Sequence, residues 1–244
     1  MDSKHKLLNK KYTELYECYY TENERLDKKR KLSAIDSARN IITAIGDSIN
    51  LSLIDIGAGN GNVLVELSGF GIFKKIVALE ISDSGIEKIK LQKITKLDEV
   101  KKFDGYQIPY ENKAFDLGIA IHVLEHVEHE RLFIRELGRV SKRLFIEVPL
   151  EHGVNIRKAI MNGKKTGHIN FYTIETLANL LESSGFRIIN SRVAPPSVEY
   201  EQLLYGSIKG KIKNKVRNYL LKLFPSVAPK FLTYNGYVYC DCPE

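Results

Sequence analysis

The apolar positions of this 244-residue chain change their period along its length. Five short runs, residues 51–56, 75–80, 98–103, 115–121 and 143–148, have the length and β-branched content of strands. The first reads Leu51-Ser52-Leu53-Ile54-Asp55-Ile56, as a strand buried in a parallel sheet does. Helical spacing separates the runs. It starts at Val63, Leu64 and Leu67 and is clearest over 84–92 and 129–141. Residues 173–184 form a further helix, entered at Thr173 and ended by Gly185. Residues 186–189 and 237–239 supply two last strands. Strands alternating with helices predict an α/β fold, a doubly wound parallel sheet with right-handed crossovers.

The two ends depart from this alternation. Residues 1–50 read as an N-terminal helical cap. Tyr12, Tyr16 and Tyr20 recur every four residues and make one aromatic helix face. Lys28 to Lys31 is a solvated charge run. Leu32, Ile35, Ile41, Ile42 and Ile45 follow as an amphipathic helix. The core is 51–194, and Pro195-Pro196 marks its end. Residues 195–244 hold a basic helical insertion before the last strand. Ile208, Ile212, Val216, Leu220 and Leu223 form its apolar stripe, with Lys209, Lys211, Lys213, Lys215, Arg217 and Lys222 on other faces. One reading is a helix docked on the domain with its basic face in solvent. The other is a surface for an acidic partner: a nucleotide- or lipid-linked sugar, an anionic membrane, or RNA.

Composition narrows the setting. The length suits one structural domain. The net charge of +7 and a sequence pI near 9.1 favour acidic partners only mildly. Three cysteines without a CxxC pair, and no leader pattern, predict a reducing cytoplasm. No apolar run has transmembrane length. The expected location is therefore cytoplasmic, with peripheral contact to a membrane through the basic helix.

The chemistry concentrates where strand 51–56 breaks into Gly57-Ala58-Gly59-Asn60-Gly61. Glycines there permit positive φ and let backbone approach a ligand. The second strand ends on Glu80, which in a doubly wound sheet lies beside that turn and can accept two ribose hydroxyls. Asn62 stands where a dinucleotide motif has its third glycine. Asp55-x-Gly57-x-Gly59-x-Gly61 with Glu80 resembles motifs I and II of the class I S-adenosylmethionine-dependent methyltransferases. His122-Val123-Leu124-Glu125-His126-Val127 is similar to the Leu-Glu-His-Val signature of their type 11 group. The order of Glu151-His152 and Gly167-His168-Ile169-Asn170-Phe171 resembles methyltransferases encoded among bacterial surface-glycan genes. The resemblance covers 51–194. It implies a Rossmann-like seven-stranded sheet whose last strand is antiparallel. It also implies S-adenosyl-L-methionine held at Asp55, Gly57, Ala58, Gly59, Glu80, Ile81, Asp104, Gly105 and His122.

Transfer from a sulfonium needs an acceptor held in line, and a hydroxyl acceptor needs a base. His122 and His152 follow strands four and five, and His168 lies in a later loop that can fold over the same edge. These are the candidate bases. Glu125 and His126 share a helical face with His122, but relatives that bind a metal here have Glu where this chain has His122, so no metal is expected. The expected reaction is methyl transfer to a hydroxyl of a small-molecule or glycan-related acceptor. RNA or protein methylation, with nucleic acid as a partner, and a non-catalytic cofactor-binding subunit are the alternatives.

Overall fold

The computed structural model describes residues 23–244. Tyr12, Tyr16 and Tyr20 lie outside the described residues. The elements run α1 (Glu24–Ile45), β1 (Leu51–Ile56), α2 (Asn62–Ser68), β2 (Phe73–Glu80), α3 (Asp83–Leu91) and β3 (Leu97–Lys102). Then come β4 (Phe115–Ile121), α4 (Glu130–Val140), β5 (Ser141–Leu150), α5 (Ile156–Thr166), α6 (Ile174–Glu182) and β6 (Arg187–Ala194). The chain closes with α7 (Val198–Tyr205), α8 (Ser207–Leu223), α9 (Ala228–Phe231) and β7 (Tyr234–Asp241). A 3₁₀ turn, Leu124–His126, follows β4.

The strands form one seven-stranded sheet in the order β3-β2-β1-β4-β5-β7-β6. Strands β1 to β5 are parallel, and β7 runs antiparallel between β5 and β6. Alternate residues of each central strand feed separate cores, because strand side chains point to opposite faces. Ile54, Val77 and Leu79 meet Phe133 and Leu137 of α4 and Leu177 of α6. Leu53, Ile76 and Ala78 meet Ala38 and Ile41 of α1, Leu64 of α2 and Ile89 of α3. This is the doubly wound sandwich expected from the alternation. Its C-terminal strand edge collects the loops after β1, β2, β4 and β5.

Several expectations change in detail. Both last strands are longer than the apolar runs that marked them, since sheet pairing extends through polar residues such as Asn190 and Asn235. Helices α5, α7 and α9 were not foreseen. The buried face of α1 runs through Ala34, Ser37, Ala38, Ile41 and Ile45 rather than through Leu32 and Ile35. The larger correction concerns α8. It is a helix, and it does dock on the domain, but its buried residues are Gly210 and Arg217. Most of its apolar stripe is left in solvent, with Ile208 75% and Ile212 58% exposed.

Candidate active site

The turn after β1 is shaped by backbone. Gly57, Gly59 and Gly61 have φ of 77°, 59° and 79°, a region that side chains with a Cβ rarely adopt. The amides of Gly57 and Ala58 both donate to the Leu79 carbonyl, at 2.8 and 3.0 Å, so the turn folds over the end of β2. There it meets Glu80. One carboxylate oxygen accepts from the Gly59 amide at 2.8 Å, and the other accepts from the Ser82 amide and hydroxyl. The Ile81 amide also points at this carboxylate. Glu80 is buried, and burial raises its pKa against these donors. Asp55, also buried, is pushed up to about 8 by burial and by the charge of Glu80. Two buried carboxyls thus lie close enough to repel each other, which a positively charged ligand would relieve.

The third strand brings Asp104 to the same edge. Its Oδ1 accepts from the amides of Tyr106 and Gln107, which leaves Oδ2 outside that turn. The side chain is exposed and Gly105 behind it is buried with φ of 93°.

After β4 the backbone of His122 is left-handed, φ 55°, and its amide donates to the Glu147 carbonyl at 2.9 Å. This places the ring between two buried carboxylates. Nδ1 lies 3.4 Å from Glu125, and Nε2 lies 3.5 Å from Glu147. Burial opposes protonation of His122, but Glu125, Glu147 and Glu151 together raise its pKa. Burial likewise raises Glu125, and His122, His126 and His168 outweigh it and hold the carboxyl below its usual range. Val123 packs against Gly57, where an added Cβ would sit 2.6 Å from its Cγ2. The His122 turn and the glycine turn are therefore in direct contact.

The loop before α6 is pinned to the 3₁₀ turn. The amides of Ile169 and Asn170 donate to the Glu125 carbonyl, and the Asn170 side chain donates to the carbonyls of Leu124 and Val127. This carries His168 against His126, ring centroids 4.8 Å apart. Nδ1 of His168 is 2.7 Å from the Glu151 carboxylate. Glu125, His126 and His168 each offer one potential ligand atom, and these atoms lie within 4.8 Å of one another. The Oε2 of Glu125 is buried with no hydrogen-bond partner among the described residues. His122 and His168 thus share one cluster around Glu125. His152 does not join it. Its side chain is exposed and lines a groove of about 510 Å³ between α5 and α6.

Residues 20–191 match the methyltransferase domain family. The chain belongs to it. It carries a methyltransferase domain of the S-adenosylmethionine-dependent class. A methyltransferase solved in complex with the Trm112 methyltransferase activator of Haloferax volcanii superposes with a TM-score of 0.70 at 10% identity, covering 94% of this chain and 98% of that one. Magnesium protoporphyrin IX methyltransferase from Synechocystis, with bound SAH, gives a TM-score of 0.60 at 15% identity, covering 96% of each chain. Human EEF1A lysine methyltransferase 2 is 30% identical over 106 residues, 38% of this chain and 44% of that protein. The chain covers between 29% and 44% of the curated relatives it matches.

The residues present fit the cofactor of this methyltransferase family. The crowded carboxyls Asp55 and Glu80 suit a cationic ligand with ribose hydroxyls, and the glycine turn leaves backbone bare beside them.

Sequence reasoning missed Glu147. It is fully buried within β5, three residues before the strand ends, and accepts from Ser37 and Asn40 of α1, at 2.6 and 2.7 Å. A carboxylate within an apolar strand was the available signal. Ser37 and Asn40 carry none, because polar residues inside an amphipathic helix usually face solvent.

Proposed function

We propose that the protein transfers the methyl group to a hydroxyl of a small or sugar-derived acceptor, with His122 as the base. The carrying observation is the position of His122 between Glu125 and Glu147, beside the glycine turn. When bound, the cofactor supplies a methyl carbon already activated by its sulfonium. The chain then has to bind, orient and take up one proton. Glu80 would accept the ribose hydroxyls, and Gly57, Ala58 and Gly59 would give their backbone to the ligand. Asp104 and Gly105 would take the adenine end. Asp55 would face the positive charge.

His122 would accept the hydroxyl proton as the new C–O bond forms. The imidazolium produced is stabilised by Glu125 and Glu147 at 3.4 and 3.5 Å. His168, held by Glu151, would orient the acceptor from the other side of Glu125. The raised pKa of His122 sets the pH dependence. The base form is populated only above that pKa, so turnover should rise with pH through it.

Radiolabelled S-adenosylmethionine with fractionated cell extract would find the acceptor. The labelled product should be an ether, stable to mild alkali. His122→Asn should lower turnover by about 10²–10⁴-fold and flatten the rising pH limb, with S-adenosylhomocysteine affinity held. Full turnover in that variant, or an alkali-labile or N-methylated product, would sink the reading.

A further inference from the structure

The outward face of α8 has no partner among the described residues. Ile208, Ile212, Val216, Tyr219 and Leu223 recur at i, i+4, i+8, i+11 and i+15, and all five are exposed. At 3.6 residues per turn they fill a sector of about 80°. Lys211, Lys215 and Lys222 edge this sector on one side, with Lys209 on the other. Gly210 and Arg217 lie opposite and anchor the helix. A Cβ on Gly210 would lie 2.5 Å from the Gln202 backbone, so α7 and α8 are in close contact there. Arg217 pairs with the buried Glu201 at 2.9 Å. Leu220 and Leu221 add apolar packing on the core beside this polar anchor, and the sector from Ile208 to Leu223 is turned out.

The face continues along the edge that holds the active site. Phe224 and Phe231 are exposed beyond α8. The Lys230 carbonyl accepts from the Val154 amide at 2.9 Å, which joins α9 to the loop entering α5. Val154 and Met161 are exposed there, and Arg157, Lys158, Lys164 and Lys165 surround them. Residues 202–240 contain seven Lys or Arg and no Asp or Glu, and residues 152–174 are also free of acid.

We propose that this face docks on an anionic lipid surface, with α8 lying in the interface plane. An apolar sector rimmed by lysines is the pattern of an interfacial helix: side chains enter the acyl boundary and ammonium groups meet lipid phosphates and carboxylates. A second copy of the chain fits less well, because facing copies would oppose lysine to lysine. Because the face adjoins the β5 edge that carries Glu147 and Glu151, docking would present the proposed site to an acceptor held at the membrane. This extension rests on the proposed function; the docking itself does not.

The test is co-sedimentation of the full chain with vesicles of phosphatidylcholine alone and of equimolar phosphatidylcholine and phosphatidylserine. Binding should need the anionic lipid and weaken with salt. A lysine near an anionic surface is worth about a fivefold factor, so changing Lys209, Lys211, Lys215 and Lys222 to Gln should cost on the order of several hundredfold. Ile208→Ser with Ile212→Ser should weaken binding at equal charge, because these residues are exposed and their loss leaves the fold intact. Absence of binding would overturn the proposal. So would binding that both variants retain, or a dimer that the serine variant breaks. S-adenosylhomocysteine affinity, measured on the same samples, keeps a failure here separate from a failure of the methyl-transfer reading.

Discussion

At the scale of residues, the carboxyls at the glycine turn are the groups proposed to hold the ligand. Glu80 fixes Gly59 and Ser82 while its remaining lone pairs face the turn. Replacing it by Ala removes the carboxylate proposed to accept two ribose hydroxyls. Hydrogen bonds to charged groups are worth about 1.5–3 kcal/mol, so S-adenosylhomocysteine should bind about ten- to a hundredfold more weakly. Calorimetry on a variant with native circular dichroism checks this, and unchanged affinity would exclude Glu80 from the site. Asp55 supplies a pH signature. Its carboxyl is pushed up to about 8 in the folded protein, from a usual value of 3.8. Between those values the folded state keeps a proton that the unfolded state has lost. Stability of the free protein should therefore fall as pH rises through that window, the reverse of a salt-bridged Asp. A cationic ligand favours the ionised form, so binding near neutral pH should release a proton and tighten as pH rises toward about 8. Titration in buffers of different ionisation enthalpy measures the release. Asp55→Asn should abolish both dependences.

At the scale of elements, α8 is held by a buried ion pair, a close glycine contact, the packing of Leu220 and Leu221 on the core, and hydrogen bonds that tie Asn214 and Arg217 to neighbouring segments. Glu201 is 1% exposed and Arg217 is nearly as buried. Removing one partner strands a charge inside the protein, which costs about 3–5 kcal/mol. For a chain of this size that is a fall in melting temperature on the order of 10 °C. Glu201→Ala should show it in a thermal melt, whereas the serine changes on the outer face of α8 should leave the melt unmoved. The 3₁₀ turn and the loop before α6 form the second element-scale device. They assemble Glu125, His126 and His168, a geometry that also suits a divalent ion. His122 stands where the metal-binding relatives that the sequence resembles have a carboxylate, so that ligand is missing. Turnover should therefore survive EDTA. Loss with chelator, restored by a divalent ion, would make those three residues ligands.

At the scale of the molecule, the sheet fixes where everything meets. The protein should bind S-adenosylhomocysteine and show no measurable binding of NAD, since Asn62 replaces the glycine a dinucleotide turn requires; tight NAD binding would contradict this. The sequence by itself determined the alternation of strands and helices, the glycine turn and the acid beyond it. These are local: strand runs, turn glycines and a strand-end carboxylate carry their reasons within a few residues. The tertiary structure decided what depends on distant pairs. Glu147 meets Ser37 and Asn40 across more than a hundred residues, and His168 reaches Glu125 only because Asn170 ties its loop to the 3₁₀ turn. His122 and His152 looked equivalent in sequence, each following a strand, yet only His122 joins the cluster. The orientation of α8 was equally out of reach. Its stripe predicts one buried face, but a glycine contact and a buried Glu201–Arg217 pair fix the opposite face to the protein. Periodicity shows that a helix has two faces; which one is covered depends on what the rest of the chain places beside it.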